Sequence, residues 1–530
     1  MADPKEIVEA KEIEEVKEIV EVKGIETSQP SKILDRSLLS RRQYQYLVAG
    51  MLIQSFVYSF ELNLMLNCQG VIAATFEASS LISILPTILQ TISAALVPFY
   101  TKVSDVVGRA QALTFAMVFY LIGYTIQGTA NGFLQFALGQ IAFGIGLTGM
   151  TTLTHVLIAD TTRLVNRGIL FALWDLSSVI NVFTTQPLTD PLTINPGANW
   201  RNVYVISGVL SLVGAIAILV PLWYVQKKVE MKGYKTERRS IGWFLHEYDA
   251  VGALLITAGM SLTLLPMILA RTYEGNWKNG KILAMFISGV ICLALLAFWE
   301  IKYTDRPIMP MRIWMNRTCF GGLVVNFFMT AMAAMNWQYY TLYLVVSRDL
   351  TFGKTLLLER GYHVAFLVFQ FLTAILMKRY NTCRPFIWVG IVIQTAGVGM
   401  MIPARLPTSS DAFVVISQTI VGAAGGMAYI ASSVAVTGAV ARRDITTVIG
   451  VNQILGSFGA AFGGALAGGV WTQYLPGRLA KHITSPYDEF LAMNSPLEYI
   501  PSMDATTKGQ LVDAYADSQM LMSIISMSFA

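Results

Sequence analysis

Charge is scarce in this chain: 13% of its 530 residues are Asp, Glu, Lys or Arg and 54% are hydrophobic, against roughly 25% and 45–50% in soluble domains. That shortage excludes an ordinary soluble protein and points to a bilayer. The 38 basic and 33 acidic residues leave a net charge of +5, too small and too dispersed for a nucleic-acid surface, so no nucleic acid is expected as a partner. Cysteine is rare as well. Cys68, Cys292, Cys319 and Cys383 include no C-x-x-C pair, which argues against a disulfide framework or a zinc site and leaves them as packing residues. Neither a metal site nor a cofactor is expected. No G-x-x-x-x-G-K-[ST] occurs, and Gly353-Lys-Thr355 lacks the upstream glycine, so a phosphate-cradling pump is excluded. A cleavable signal peptide is not expected either, because the first forty residues are highly charged.

What the chain does have is apolar runs of about 20 residues, the length that crosses a ~30 Å hydrocarbon core at 1.5 Å per residue. Thirteen lie near 44–66, 80–100, 111–129, 133–158, 168–189, 202–224, 250–271, 281–300, 318–346, 355–377, 385–404, 411–440 and 445–474. A fourteenth begins near Ser518 and stops at Ala530; at about 20 Å as a helix it reads as a truncated span. The expected fold is all-α integral membrane, with two six-helix bundles plus two extra spans. The boundaries are a charged tail over 1–43, a first bundle over 44–226, a basic loop and two additional spans over 227–317, and a second bundle over 318–530. That second bundle includes a long polar segment, 475–515. Lys and Arg resist crossing the bilayer. Nineteen fall in loops on the side of the amino terminus and eight in the tail, against eleven elsewhere, so the amino terminus is expected in the cytoplasm and the 475–515 loop outside it.

Pro98-Phe-Tyr-Thr-Lys-Val-Ser-Asp-Val-Val-Gly-Arg109 forms a tight polar turn between spans two and three. Its spacing resembles the signature loop of major facilitator transporters, with Thr101 where a glycine would open the loop. Asp105, Gly108 and Arg109 are the resulting candidates for a cytoplasmic gate. A short basic turn over 378–385 occupies the same place in the second bundle without the aspartate or glycine, and supports duplicated halves.

An ionisable group within a span is costly and therefore a functional candidate. Glu61 in the first span and Asp175 in the fifth are the candidates for proton coupling, each weighed against a wetted or locally hydrogen-bonded structural role. Span four carries Gln140 where many proton-coupled facilitators have arginine, and the Gly-Pro motif of drug exporters is missing from span five. His155 reads as a satisfied helix-end histidine. In span nine, Trp337, Tyr340 and Tyr343 would share about one helix face, with Tyr339 beside it. With Gln338 and Gln140 these are the substrate-binding candidates, set against a plain interfacial aromatic belt. Gly459 with Gly463 and Gly464 with Gly468, each four apart, read as close helix packing.

Taken together, Ser104-Asp-Val-Val-Gly-Arg109, Ile158-Ala-Asp-Thr-Thr162 with Asn166-Arg167, and Gly463-Gly-Ala-Leu-Ala-Gly-Gly-Val-Trp-Thr-Gln-Tyr-Leu-Pro476 resemble the fungal siderophore–iron transporter family of the major facilitator superfamily, over about 44–520. The resemblance implies fourteen spans and secondary active import of ferric siderophores, with protons as the co-transported partner, in a plasma or endosomal/vacuolar membrane. A ferric siderophore supplies its own iron ligands, so the lack of a His/Cys/Asp cluster fits. Alternatives on the same scaffold are a glutathione or haem carrier, or a multidrug exporter. A non-transporting membrane receptor or sensor is a further alternative, and no catalytic constellation suggests an enzyme.

Overall fold

In hydrocarbon a backbone N–H or C=O has no water to bond, so a spanning segment closes its hydrogen bonds within itself or in a barrel. This chain does so with helices. The computed structural model describes residues 40–161, 164–193, 199–231, 249–270, 275–304, 307–348, 352–380, 382–440, 445–500 and 503–530, and contains no strand among them. The long helices are α1 (Arg41–Thr75), α2 (Ile84–Val106), α3 (Arg109–Gly128), α4 (Phe133–Thr161), α5 (Leu164–Thr193), α6 (Arg201–Met231), α7 (Ala250–Leu269) and α8 (Gly280–Lys302). Then come a broken α9, in two pieces α9a (Arg317–Trp337) and α9b (Tyr340–Ser347), α10 (Phe352–Tyr380), α11 (Arg384–Ala404), α12 (Asp411–Gly438), α13 (Ile445–His482) and α14 (Ala505–Met527). By length and composition 12 of these segments can cross a membrane; α5 and α14 complete the series.

Helices α1–α6 pack into one bundle and α9–α14 into a second, and the two meet where α2 lies against α13 and α5 against α10. The extra pair explains itself by its faces. Ile256, Met260 and Leu264 of α7 share a buried cluster with Ala94 and Ala95 of α2 and with Ala461 and Ala465 of α13, so α7 lies along the seam between the bundles. Leu283, Ile287, Ile291, Leu295 and Phe298 of α8 are exposed; such a surface is stable only against lipid.

Glycine lets α13 approach α9a closely. A Cβ on Gly459 would sit 2.2 Å from the Phe327 carbonyl oxygen, and one on Gly463 2.1 Å from that of Ala331, as the four-residue spacing suggested.

The end of the chain departs from the hydropathy reading. Helix α13 runs on to His482, and α14 begins at Ala505 rather than near Ser518. Its 23 residues reach about 35 Å, long enough to span. The linker is therefore 483–504, with short helical turns at Glu489–Asn494 and Pro496–Tyr499. Hydropathy missed the extensions because their polar residues face one another. Asp517 of α14 accepts from Arg478 (3.3 Å) and His482 (3.0 Å) of α13, and Ser518, Gln519, Ser523 and Ser526 point into the bundle. The charged tail over 1–39, most of the basic loop after α6 with Lys232, Lys235, Arg238 and Arg239, and the side chains of Asp105, Asn166 and Arg167 lie outside the described residues.

Replacing Gly463 by Leu forces α13 off α9a and is expected to cost about 1–3 kcal/mol, as overpacking does. Thermal unfolding of detergent-purified protein should register it as a lower midpoint, with Gly450→Leu unchanged because Gly450 has open space around it.

Candidate functional site

Helix α1 carries polar residues on two opposite faces. Ser55, Ser59, Asn63 and Asn67 recur every four residues and so line one face, while Glu61, two residues from both Ser59 and Asn63, is turned about 200° away. The stripe is bonded to α5. Ser55 Oγ donates to the Trp174 carbonyl at 2.7 Å, and Asn181 Nδ2 donates to the Phe56 carbonyl at 2.8 Å and to Ser59 Oγ at 2.6 Å. Asn67 Nδ2 reaches Thr185 and Thr189 at 3.3 and 3.4 Å.

Glu61 on the other face is fully buried inside the first bundle. Its Oε2 accepts from Tyr120 Oη (3.1 Å) and Tyr124 Oη (3.0 Å) of α3 and from Ser211 Oγ (3.3 Å) of α6, while its Oε1 is buried without a partner. A carboxyl group with one satisfied and one open oxygen, bonded only to hydroxyls, is equipped to gain or lose a proton. Gln140, also buried, is on α4, in a small cleft of about 40 Å³ with Leu62, Met65, Phe143 and Tyr204.

Asp175 lies on the other side of α1. It is half-buried, and its carboxylate makes no hydrogen bond or ion pair with a described residue. The ring of its neighbour Trp174 stacks on Tyr58 at 6.1 Å and lies 6.0 Å from His155. His155 Nδ1 is 2.7 Å from the Thr151 carbonyl; since a carbonyl only accepts, that nitrogen carries the proton.

In the second bundle the aromatic residues of span nine do not share one face, because α9 breaks at Gln338–Tyr339. The Trp337 ring lies against that of Tyr362 of α10, with centroids 4.0 Å apart and planes tilted by 32°. Gln338 sits beside Gly464 of α13. Tyr339 turns the other way, stacking on Trp471 at 4.5 Å and donating its hydroxyl to Ser83, which precedes α2, at 3.1 Å. Tyr340 and Tyr343 do lie together, but around a buried guanidinium. Arg405 lies 3.3 Å over the Tyr340 ring, donates to Ser523 Oγ and to the Asn336 carbonyl, both at 3.3 Å, and accepts at its own carbonyl from Tyr343 (2.5 Å). The Asn336 carbonyl is one that the break deprives of its helical partner, so Arg405 caps the break.

Among the described residues, hydrogen bonds join the bundles near the end that holds the 483–504 linker. They are Tyr339 to Ser83, and Arg360 of α10 to Asn67 of α1. At the same end the helical turns of the linker pack on α1 and on the turn Ser79–Leu81.

A family model described as Major Facilitator Superfamily matches residues 45–357, more than half of the chain. The chain belongs to the Major Facilitator Superfamily. Among its relatives, the siderophore iron transporter mirC of Emericella nidulans is 26% identical over 82% of this chain and 73% of its own length. The siderophore iron transporter ARN1 of Saccharomyces cerevisiae is 24% identical over 91% of this chain and 80% of its own. Solved structures agree on the fold. A bacterial homologue of the human lysosomal transporter Spinster, inward-facing and unoccupied, superposes with a TM-score of 0.57 at 14% identity, covering 93% of this chain and 95% of that one. A D-xylose–proton symporter gives 0.55 at 13% identity over 93% and 98%. The chain is thus a multi-pass membrane transporter and not an enzyme.

In this superfamily member the turn between α2 and α3 needs its glycine for two reasons. Gly108 has φ +112°, a region that L side chains avoid, and a Cβ there would lie 2.5 Å from both the Gln111 and Gln226 side-chain amides. Gln226, at the end of α6, accepts from the Ala110 N–H at 3.0 Å and so closes the first bundle over this turn. Arg109 donates to Ser104 Oγ.

Several residues that shape the site escaped the sequence reading. Tyr120 and Tyr124 are four apart within an apolar run, a spacing that puts two hydroxyls on one face. The adjacent charges Glu359-Arg360, inside the run 355–377, were a visible signal, as an intramembrane pair always is. Arg405 was hidden by its place at the end of span eleven, where a loop arginine is ordinary.

Replacing Tyr124 or Tyr120 by Phe removes one donor from the Glu61 carboxyl. Each variant is expected to lose about 1 kcal/mol, read as a lower thermal midpoint, and the two losses should not add, since both hydroxyls also bond to each other at 3.1 Å.

Proposed function

We propose that this transporter imports ferric siderophores by proton symport through alternating access. The observation that carries the substrate is the match to mirC and ARN1, which are named as siderophore iron transporters, over four-fifths or more of this chain. A ferric siderophore fills the coordination sphere of its iron with its own oxygens, so the protein has to recognise an organic shell and needs no metal ligands.

Glu61 is the proposed proton carrier. Its support is geometric: it is enclosed by hydroxyl donors within one bundle, off the gap between the bundles, where a proton can be held without contact with a bulky substrate. Substrate contacts are assigned to the gap itself, with Trp337 and Gln338 of α9 and Gln140 of α4 retained as candidates. Tyr339, Tyr340 and Tyr343 act in this reading as supports of the gate formed by α9b. Opening at the linker end requires the Tyr339–Ser83 and Arg360–Asn67 bonds to part. The turn with Asp105, Gly108 and Arg109 serves as the gate at the opposite end. The Lys and Arg asymmetry supports an amino terminus in the cytoplasm and a linker end that faces the outside of a plasma membrane or the lumen of an endosomal or vacuolar one.

The test is uptake of labelled iron, presented as a panel of ferric siderophores, by a fungal strain lacking its own carriers. One-proton symport sustains about tenfold accumulation per pH unit, since one unit corresponds to ~1.4 kcal/mol. Uptake by the wild type should therefore rise as the outside is acidified. Glu61→Gln should abolish accumulation and its pH dependence while substrate counterflow persists. Normal, pH-dependent accumulation by the variant would remove Glu61 from the proton path, and absence of uptake for every siderophore by surface-localised wild type would refute the substrate.

A further inference from the structure

Each bundle carries an aromatic cluster on the helices where α5 and α10 meet. On the first, Trp174 links Tyr58 and His155; on the second, Phe366 of α10 lies 5.7 Å from Tyr429 of α12. Asp175 follows Trp174 on α5, the helix that packs against α10 of the second bundle, and is half-buried there, within electrostatic reach of Tyr58 on its own bundle and of Tyr429 on the opposite one. The other buried charges among the described residues are committed elsewhere. Glu61 is turned into the first bundle, Asp249 accepts from the Gly252 N–H and from Trp299 Nε1, Glu359 accepts from Thr341, Arg360 donates to Asn67, and Arg405 is enclosed by Tyr340, Ser523 and Asn336. Two histidines adjoin these clusters: His155 gives its Nδ1–H to Thr151, and His363 of α10 lies edge-on to Tyr362 at 5.2 Å with its Nδ1 buried and unbonded. Among the described residues, the carboxylate left without a partner beside these clusters is thus that of Asp175.

We propose that Asp175 is the charge-selecting residue of the substrate cavity, favouring ferric complexes with a pendant cation, accepting neutral ones and rejecting polyanions. The inference rests on the siderophore-transport reading and names the substrate class within it. An iron(III) ion bound by three singly charged hydroxamates is neutral, and a free ammonium group on the ligand backbone makes the complex +1. Bound by three doubly charged catecholates it is −3. A carboxylate in a partly desolvated cavity attracts the first and repels the last.

A matched pair of substrates tests this in the full chain: a linear ferric trihydroxamate with a free terminal amine, and the same complex with that amine acetylated. Wild type should take up the ammonium form with the lower KM and should not be inhibited by a ferric tris-catecholate. Asp175→Asn should raise KM for the ammonium form by about tenfold, the change that loss of one moderate charge pair brings. KM for the acetylated form should stay within about twofold, with pH-dependent accumulation intact, and Asp175→Glu should restore the preference.

Equal loss for both substrates together with loss of pH dependence would instead make Asp175 a proton carrier and overturn the proposal. So would unchanged kinetics, or a wild type that treats the pair alike, which needs no variant to fold. Failure of wild type to transport either hydroxamate while taking up the catecholate overturns the charge filter but leaves siderophore transport standing; failure with all three refutes the transport reading itself.

Discussion

Polar side chains inside a bundle that is itself surrounded by lipid have only protein or confined water to bond, and α1 is the helix organised by this constraint. One of its faces sends Ser55, Ser59, Asn63 and Asn67 to hydroxyls, amides and carbonyls of α5 and its own backbone. The opposite face sends Glu61 to α3 and α6. A single helix thereby fixes the first bundle from within, and through Asn67 it also contacts Arg360 of the second bundle. Interhelical hydrogen bonds in membranes are worth only about 0.6–1.7 kcal/mol each, so it is their number along α1, rather than any one, that holds the helix in register.

The two bundles repeat this plan with opposite charge. Glu61 lies among the first, third and sixth helices of its bundle. Arg405 lies among α9, α11 and α14, which are the first, third and sixth helices of theirs. That correspondence fits an internal repeat, and it is visible only in three dimensions because the two residues sit on different members of the triplet. The chemistry differs with the sign. A carboxyl group held by hydroxyls can exchange a proton, whereas a guanidinium stays charged and here satisfies a carbonyl exposed by the break in α9.

Hydropathy made most of the fold legible, since an apolar run long enough to span is a direct physical signal. It failed where helices continue on polar residues that pair with each other, as Arg478 and His482 do with Asp517. Of the site, Glu61 and Asp175 stood out because acids within spans are costly. Their different surroundings did not, because a helix position says which face a residue occupies but not which neighbour that face meets. The aromatic face expected of span nine assumed an unbroken helix; the break after Trp337 carries Trp337 and Tyr340 to different partners. Even where the face is shared, as for Tyr340 and Tyr343, the sequence could not show that a distant arginine fills it.

Placing the proton carrier and the charge filter on opposite sides of α1 gives the proposed cycle a mechanical route between them. Tyr58 and Glu61 are three residues apart, hence on adjoining faces of α1, and Tyr58 lies within electrostatic reach of both acids. Its ring is stacked on Trp174, which precedes Asp175. In the proposed cycle a proton arriving at Glu61 would turn a group that only accepts hydrogen bonds into one that also donates, and so rearrange its bonds to Tyr120, Tyr124 and Ser211. Those bonds set how α1 is seated between α3 and α6, and α1 in turn carries one wall of the gap. Coupling of proton to substrate then needs no contact between the two, only that α1 have one seating with Glu61 protonated and another without, with different affinity for the substrate in each.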